Sequence, residues 1–512
     1  MFNAFKISKF FLFAVPLMII LVTSSTLFPF IVGKYVYFRI LVDLAFIFFL
    51  LGILFNQNGI NEVISRFKNL IKNPLIIAVS VFIFIFLLAG FFGVDPQNSF
   101  WSNFERGEGG LQLLHFYIFF ALLAFLFDKE KDWQTIFIMM LIGGAGMAFY
   151  GASAGLKYID AEMITRPTAN GGIEDVLSGN GGPIYQLFKW AAIGPSFSDP
   201  GYRFQGTIGN SAYVAAYAIF MLFYAAYLLM SKYRRRLLSF GAWVLWALMA
   251  IFFMVFLAAA TRGAFLGLIA ATVAFLAYLA FSSKRWRKWL VAAAVILVVL
   301  VIVLIQLRNV SFIKASPISR ILDISFTAQT FQDRTTIWKM AIDGFKERPI
   351  LGWGPENFLQ VFDRHFNPEY FVPAKGFGSW FDRAHNIYLD YLAETGILGL
   401  LSYLSIFIVF YWMLFRHTRI NTDMNTDKHG LKSVSVNQFS YPRESVLVNA
   451  LLFSIPIAYL VQGIVLFDVS PIYLNLFLVF AFAVYKFDVK SQISSPKADP
   501  PLAENLKNTS QN

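Results

Sequence analysis

The run "WLVAAAVILVVLVIVLIQ" (Trp289–Gln306) contains no charged residue. As a helix rising 1.5 Å per residue it would extend about 27 Å, close to the ~30 Å hydrocarbon core of a bilayer. Runs of this kind recur near 10–30, 37–55, 74–93, 111–127, 134–155, 208–230, 239–259, 263–281, 289–306, 387–415, 446–463 and 470–487, which predicts about twelve transmembrane helices. The first run follows Lys6 and Lys9 as a signal peptide would, but it outlasts a signal core and "VTSSTLFPF" offers no small-x-small cleavage site. Membrane strands would need short segments of alternating polarity, and these are absent. Only 14% of residues are charged, against about 25% in soluble domains. The expected fold is all-α and membrane-integral.

The chain has no cysteine, which excludes disulfides, thiolate metal sites and a cysteine nucleophile. Its net charge of +12 does not point to nucleic acid, because the basic residues gather in short loops beside the spans. The loops 56–73, 128–133, 231–238, 282–288 and 416–445 hold 18 Lys and Arg, while the alternate set holds three, Lys34, Arg106 and Arg262. By the positive-inside rule the first set and both termini are cytoplasmic. The chain then divides into a bundle over 1–306 with nine spans, an extracytoplasmic loop over 307–386, a bundle over 387–487 with three spans, and a polar tail over 488–512 expected to be disordered.

The 307–386 loop is too long for a simple connection, and part of it has helix grammar. In "DRTTIWKMAIDGFKERPILGWGPENF" Asp333 suits an N-cap and Pro349 a stop, with Trp338, Ala341 and Phe345 at helical spacing. Arg334 lies four residues before Trp338, on the apolar stripe, where it either snorkels to water or points at what the helix packs on. "GWGP" (Gly352–Pro355) then turns the chain back.

In "WFDRAHNIYLDYLAETG" (Trp380–Gly396) Asn386 suits the N-cap of a helix expected to run unbroken into the tenth span. Arg383 and His385 stand at its mouth, where free amides receive anions. A neutral imidazole there suits a general base, and equally a structural hydrogen bond. Glu394, two turns on, reads as an interfacial carboxylate paired with an arginine. Arg262 sits between two spans with only Thr and Gly beside it, and an arginine so placed needs a partner or an anionic ligand. Arg203 precedes the sixth span, where Asn210 can cap; its plainer reading is a salt bridge with Asp199. In "FWSNFERGEGGLQLLH" an internal Glu105–Arg106 pair accounts for the charges, with His115 beyond. Four distant stretches thus put Arg203, Arg262, Arg334, Arg383 and His385 on one side of the membrane.

The segments "RFQGTIGNSAYVAAY", "TRGAFLGL", "DRTTIWKMAIDGFKERPILGWGPENF" and "RAHNIYLDYLAETGILGLLSY" resemble successive signature segments of the O-antigen ligase and polymerase superfamily of bacterial envelope glycosyltransferases. The resemblance runs from about Arg203 to Tyr403. "GNSAYVA" departs from it, with Ser-Ala where relatives often carry Pro-Asn. It implies an enzyme that takes a glycan from undecaprenyl pyrophosphate and passes it to a lipid A-core sugar, a glycan chain or a protein hydroxyl. It also implies Arg203, Arg262, Arg334 and His385 as essential groups; the expected site has His385, Arg262 and Arg334 as catalytic residues and Arg203, Asn210, Arg383, Asn386 and Glu394 as substrate-binding ones.

The chemistry fits: fixed guanidiniums stabilise the charge that grows on a departing pyrophosphate. No Asp-x-Asp pair lies in the outward loops, so the expected enzyme needs neither metal nor other cofactor; Glu105, Glu108 and Asp382 are the carboxylates that would contradict this. The expected partners are the lipid-linked oligosaccharide, the acceptor and membrane lipids, with no nucleic acid. The alternative is a transporter or flippase. That reading calls for polar or broken-helix features near mid-bilayer, whereas spans two, three, eight, nine and twelve carry almost no charge between their ends.

Overall fold

The computed structural model describes residues 4–23, 25–26, 28–55, 60–103, 106–165, 203–283, 285–310, 321–322, 329–368, 380–427 and 442–487. Glu105, Asp199 and the 488–512 tail lie outside them. The α-helices, in order, are α1 (Ala4–Ala14), α2 (Val32–Phe55), α3 (Ile60–Leu70), α4 (Pro74–Phe91), α5 (Pro96–Trp101), α6 (Gly110–Leu126), α7 (Glu130–Thr165), α8 (Ser211–Ser231), α9 (Phe240–Ala258), α10 (Arg262–Ser282), α11 (Arg287–Gln306), α12 (Gln329–Glu347), α13 (Phe358–Arg364), α14 (Ile387–Asp427), α15 (Pro442–Gly463) and α16 (Ser470–Phe487). No strand occurs among the described residues.

Ten of these helices are long and apolar enough to cross a membrane, and α6 is a shorter apolar helix. The expected first span differs. Its α-helix covers only Ala4–Ala14, continues as a 3₁₀ turn over Val15–Ile20, and ends in extended backbone at Leu21. Pro16 supplies the reason, since it lacks an amide hydrogen and its ring crowds the preceding turn.

Burial separates the centre from the rim. The apolar windows of α8 and α16 are 78% and 83% buried, whereas that of α11 is 0% buried. In a bilayer an apolar helix that no protein covers faces lipid, so α11 is peripheral and α8 and α16 form the centre. Aromatic side chains fill that centre: Phe137 stacks on Tyr224 at 4.7 Å, and Phe116 stacks on Phe477 at 5.8 Å.

Over one end of the bundle lies a second, smaller apolar cluster. Ile337, Met340 and Ala341 of α12 pack with Trp353, Phe358, Val361, Phe362, Ala384 and Ala393. α12 begins at Gln329, so Asp333 lies inside the helix and is not its cap. The helix ends at Glu347, two residues before Pro349, as an imide nitrogen requires.

α14 does not run unbroken. Gly396 has φ 66° and ψ −168°, a combination open essentially to glycine alone. The backbone of 349–354 enters this break: Trp353 N–H donates to Ala393 O at 3.0 Å and Gly354 N–H to Glu394 O at 2.8 Å, while Ile397 N–H donates to Pro349 O at 2.9 Å. Val94 N–H donates in turn to Trp353 O at 2.8 Å. A Cβ on Gly396 would stand 2.3 Å from Ile350 O, so this approach requires glycine. Loop and span are thereby joined through main chain.

Candidate active site

A cavity of about 530 Å³ opens where these elements meet, lined among others by Lys34, Arg106, Glu108, Arg203, Asn210, Tyr213, Arg334, His385, Phe467 and Ser470. Six segments far apart in sequence therefore line one cavity.

His385 is held by its neighbours' main chain. Its φ of 52° lies in the left-handed region, which costs an L-residue energy. Two bonds at Ala384 fix the turn: Trp338 Nε1–H donates to Ala384 O at 3.1 Å, and Ala384 N–H donates to Asp390 Oδ1 at 2.6 Å. Asn386 caps α14, accepting from Tyr388 N–H at 3.0 Å and Leu389 N–H at 3.2 Å. The ring stands between Phe381 and Phe467, edge to face with centroids 5.2 and 5.0 Å away. His385 Nδ1 lies 3.2 Å from Arg383 O. A carbonyl can only accept, so that nitrogen carries the proton and Nε2 is left with its lone pair. Burial, against a raising bond to Arg383 O and with help from the Arg334 guanidinium, holds the imidazole below its ordinary pKa. At neutral pH it is an unprotonated base.

The arginines split into two groups. Arg334 lines the cavity, and burial together with the nearby charge of Arg262 disfavours its protonated form. Two guanidiniums that sense each other in a partly dry site favour an intervening anion. Arg203 joins them from the other side: its Nε–H donates to Ala259 O at 3.2 Å and its NH2 to Thr261 Oγ1 at 2.9 Å, directly beside Arg262. Asn210 caps α8 through Ala212 N–H at 2.9 Å and also lines the cavity.

Arg383 belongs elsewhere. It is buried, paired with Glu356, and its NH1 reaches Glu394 Oε2 at 3.0 Å and Oε1 at 3.2 Å. Neither Arg383, Glu394 nor Asn386 lines the cavity. They brace the loop against α14, with Ser102 Oγ–H adding a bond to Glu356 at 2.7 Å.

Three lining groups were not singled out from sequence as site residues. Lys34 is buried and its Nζ donates to three carbonyls, of Leu21 at 2.6 Å, Phe30 at 2.7 Å and Thr207 at 2.7 Å. Arg106 pairs bidentately with Asp382 at 2.9 and 3.0 Å and lies over the Phe467 ring. Burial would raise the Asp382 carboxyl, but Arg106 and Arg383 outweigh it and hold it below the ordinary carboxylate range. The third is Glu108. His115 is not at this site; its Nε2 faces Asp43 at 3.2 Å within the helix layer.

Among curated proteins no match was found. A family model described as O-antigen ligase matches residues 247–404, just under a third of the chain, from within α9 to within α14. That stretch contains Arg262, α12 with Arg334, the entering 349–354 backbone, His385 and the break at Gly396. Over these residues the chain is similar to the O-antigen ligase family.

Proposed function

We propose that this multi-pass membrane protein transfers a glycan from an undecaprenyl-pyrophosphate-linked donor to an acceptor hydroxyl, on a lipid A-core sugar, a glycan chain end or a protein. The observation that carries the reading is the single cavity shared by Arg203, Arg334 and His385, with Arg262 beside Arg334. The guanidiniums hold the pyrophosphate, Arg334 and Arg262 directly and Arg203 from the flank. His385 Nε2 takes the proton of the acceptor hydroxyl as its oxygen bonds to the anomeric carbon. The anomeric C–O bond to phosphate breaks, its electron pair leaves on the pyrophosphate, and configuration inverts. Charge that develops on the leaving group meets fixed donors, so no metal is needed in this scheme.

The basic-residue asymmetry supports a cytoplasmic-membrane location with both termini inside and the cavity facing outward. A reporter active only in the cytoplasm, fused within 310–380, should then be silent. The test of function uses the detergent-solubilised full chain, a lipid-linked glycan and candidate acceptors. Acceptor-dependent release of undecaprenyl pyrophosphate is the expected result. Uptake of substrate into vesicles without that release would overturn the reading in favour of a carrier.

A further inference from the structure

Part of the cavity lining is made of two buried polar side chains. Glu108 is 6% exposed and Ser470 3% exposed, and both line the cavity. Glu108 Oε1 accepts the N–H of Ser470 at the start of α16, which sets the two side chains side by side. Glu108 Oε2 and Ser470 Oγ are both buried without a hydrogen-bond partner among the described residues. Orphaned polar atoms are rare in native interiors and cost free energy, so two in neighbouring residues of the cavity lining call for a partner that a small side-chain rotation toward the cavity would supply. Tyr213 lines the same wall.

We propose that Glu108, Ser470 and Tyr213 form a saccharide-binding wall, which hydrogen-bonds the donor sugar attached to the pyrophosphate. The proposal rests on the transfer reading above. Arg334 senses Arg262, and His385 senses both Arg334 and Arg106, while Glu108 senses Arg106. His385 and Glu108 thus share Arg106 as a neighbour, and all three of these side chains line the cavity with Arg334. A sugar one bond from the bound pyrophosphate has to lie inside the same cavity, with its hydroxyl or amide groups within reach of Glu108 and Ser470. Burial, opposed by Arg106, pushes the Glu108 carboxyl up to about 7. With Oε1 occupied as acceptor, a proton on Oε2 makes that atom a donor to a sugar oxygen, and Ser470 Oγ–H can donate or accept beside it.

The experiment compares two probes on the solubilised full chain: polyprenyl pyrophosphate bearing N-acetylglucosamine, and the same lipid pyrophosphate without sugar. Glu108→Ala and Ser470→Ala are each expected to weaken the sugar-bearing lipid about 3- to 10-fold, the worth of one hydrogen bond, and to leave the sugar-free lipid unchanged. Glu108→Gln keeps an acceptor for Ser470 N–H and offers a donor at Oε2, so it should bind both probes within about 3-fold of wild type. Arg334→Ala should weaken both probes alike. If Glu108→Ala fails to fold because Ser470 N–H loses its acceptor, Ser470→Ala and Tyr213→Phe carry the comparison. Equal affinity of all wall variants for the sugar-bearing lipid overturns the proposal. So does slower transfer with unchanged donor binding, which would move the wall to the acceptor or to the fold. Failure of the transfer reading shows differently, as indifference of both probes to Arg334→Ala.

Discussion

Arg334 and Arg383 approach the same turn from two directions and meet opposite surroundings. Arg383 is enclosed by Glu356 and Glu394, so its charge is cancelled inside the protein. Arg334 makes no hydrogen bond or ion pair with the described residues and shares its neighbourhood with another guanidinium. The contrast teaches that an arginine beside a membrane is informative by its counter-charge. One that brings its own carboxylates is neutralised within the fold, and one that does not keeps its charge for the anion-binding role proposed above.

The residue between them should give the largest effect. His385→Ala is expected to lower transfer about 10²- to 10⁴-fold while the lipid donor still binds, the range of a lost general base. Near-wild-type turnover in that variant would leave the arginines as the whole mechanism. Next comes the contrast itself. Arg334→Ala should cost about 10²- to 10³-fold in turnover with little change in thermal stability, and Arg334→Lys should recover only part, because an ammonium lacks the planar fork. Glu394→Ala, which strips one carboxylate from a buried pair, should instead destabilise the fold by about 3–5 kcal/mol. Thermal melts of the two variants that coincide would erase the distinction.

A smaller effect is expected in the pH profile. In the proposed mechanism His385 acts unprotonated, so transfer should fall as pH drops through its folded pKa, and that midpoint should lie below the ordinary value of about 6.5. Arg334→Ala removes one of the charges that lowers it, so the acid limb of the residual activity should move up. A limb that stays in place would show that Arg334 is not near the imidazole. The smallest effect is expected from chelation. Strong chelators should leave turnover unchanged, and a loss that Mg²⁺ restores would point to a carboxylate site.

The spans were legible because an apolar run of eighteen or more residues has one common explanation, and the shared cavity of Arg334 and His385 because charge beside hydrocarbon is costly. What stayed hidden depended on partners distant in sequence. Arg106 reads locally as the neighbour of Glu105, yet its bidentate partner is Asp382, 276 residues on. Lys34 reads as one of three basic residues in the short outward loops, and only the fold brings Leu21, Phe30 and Thr207 carbonyls to it. Gly396 sits in an apolar run where a glycine is tolerated in a straight helix, and the main chain of 349–354 turns it into a break. The first span failed for a local reason that was visible: Pro16.

The left-handed backbone at His385 has a consequence for how this site trades durability against work. The turn would prefer glycine, by about 1–2 kcal/mol per residue of left-handed strain. Between two variants that both lack the imidazole, His385→Gly should therefore outlast His385→Ala on heating by about 1 kcal/mol, although the alanine is the milder truncation. The protein spends part of its stability to aim one ring into the cavity, and a screen for hardier variants would be drawn to this position and would find inert ones.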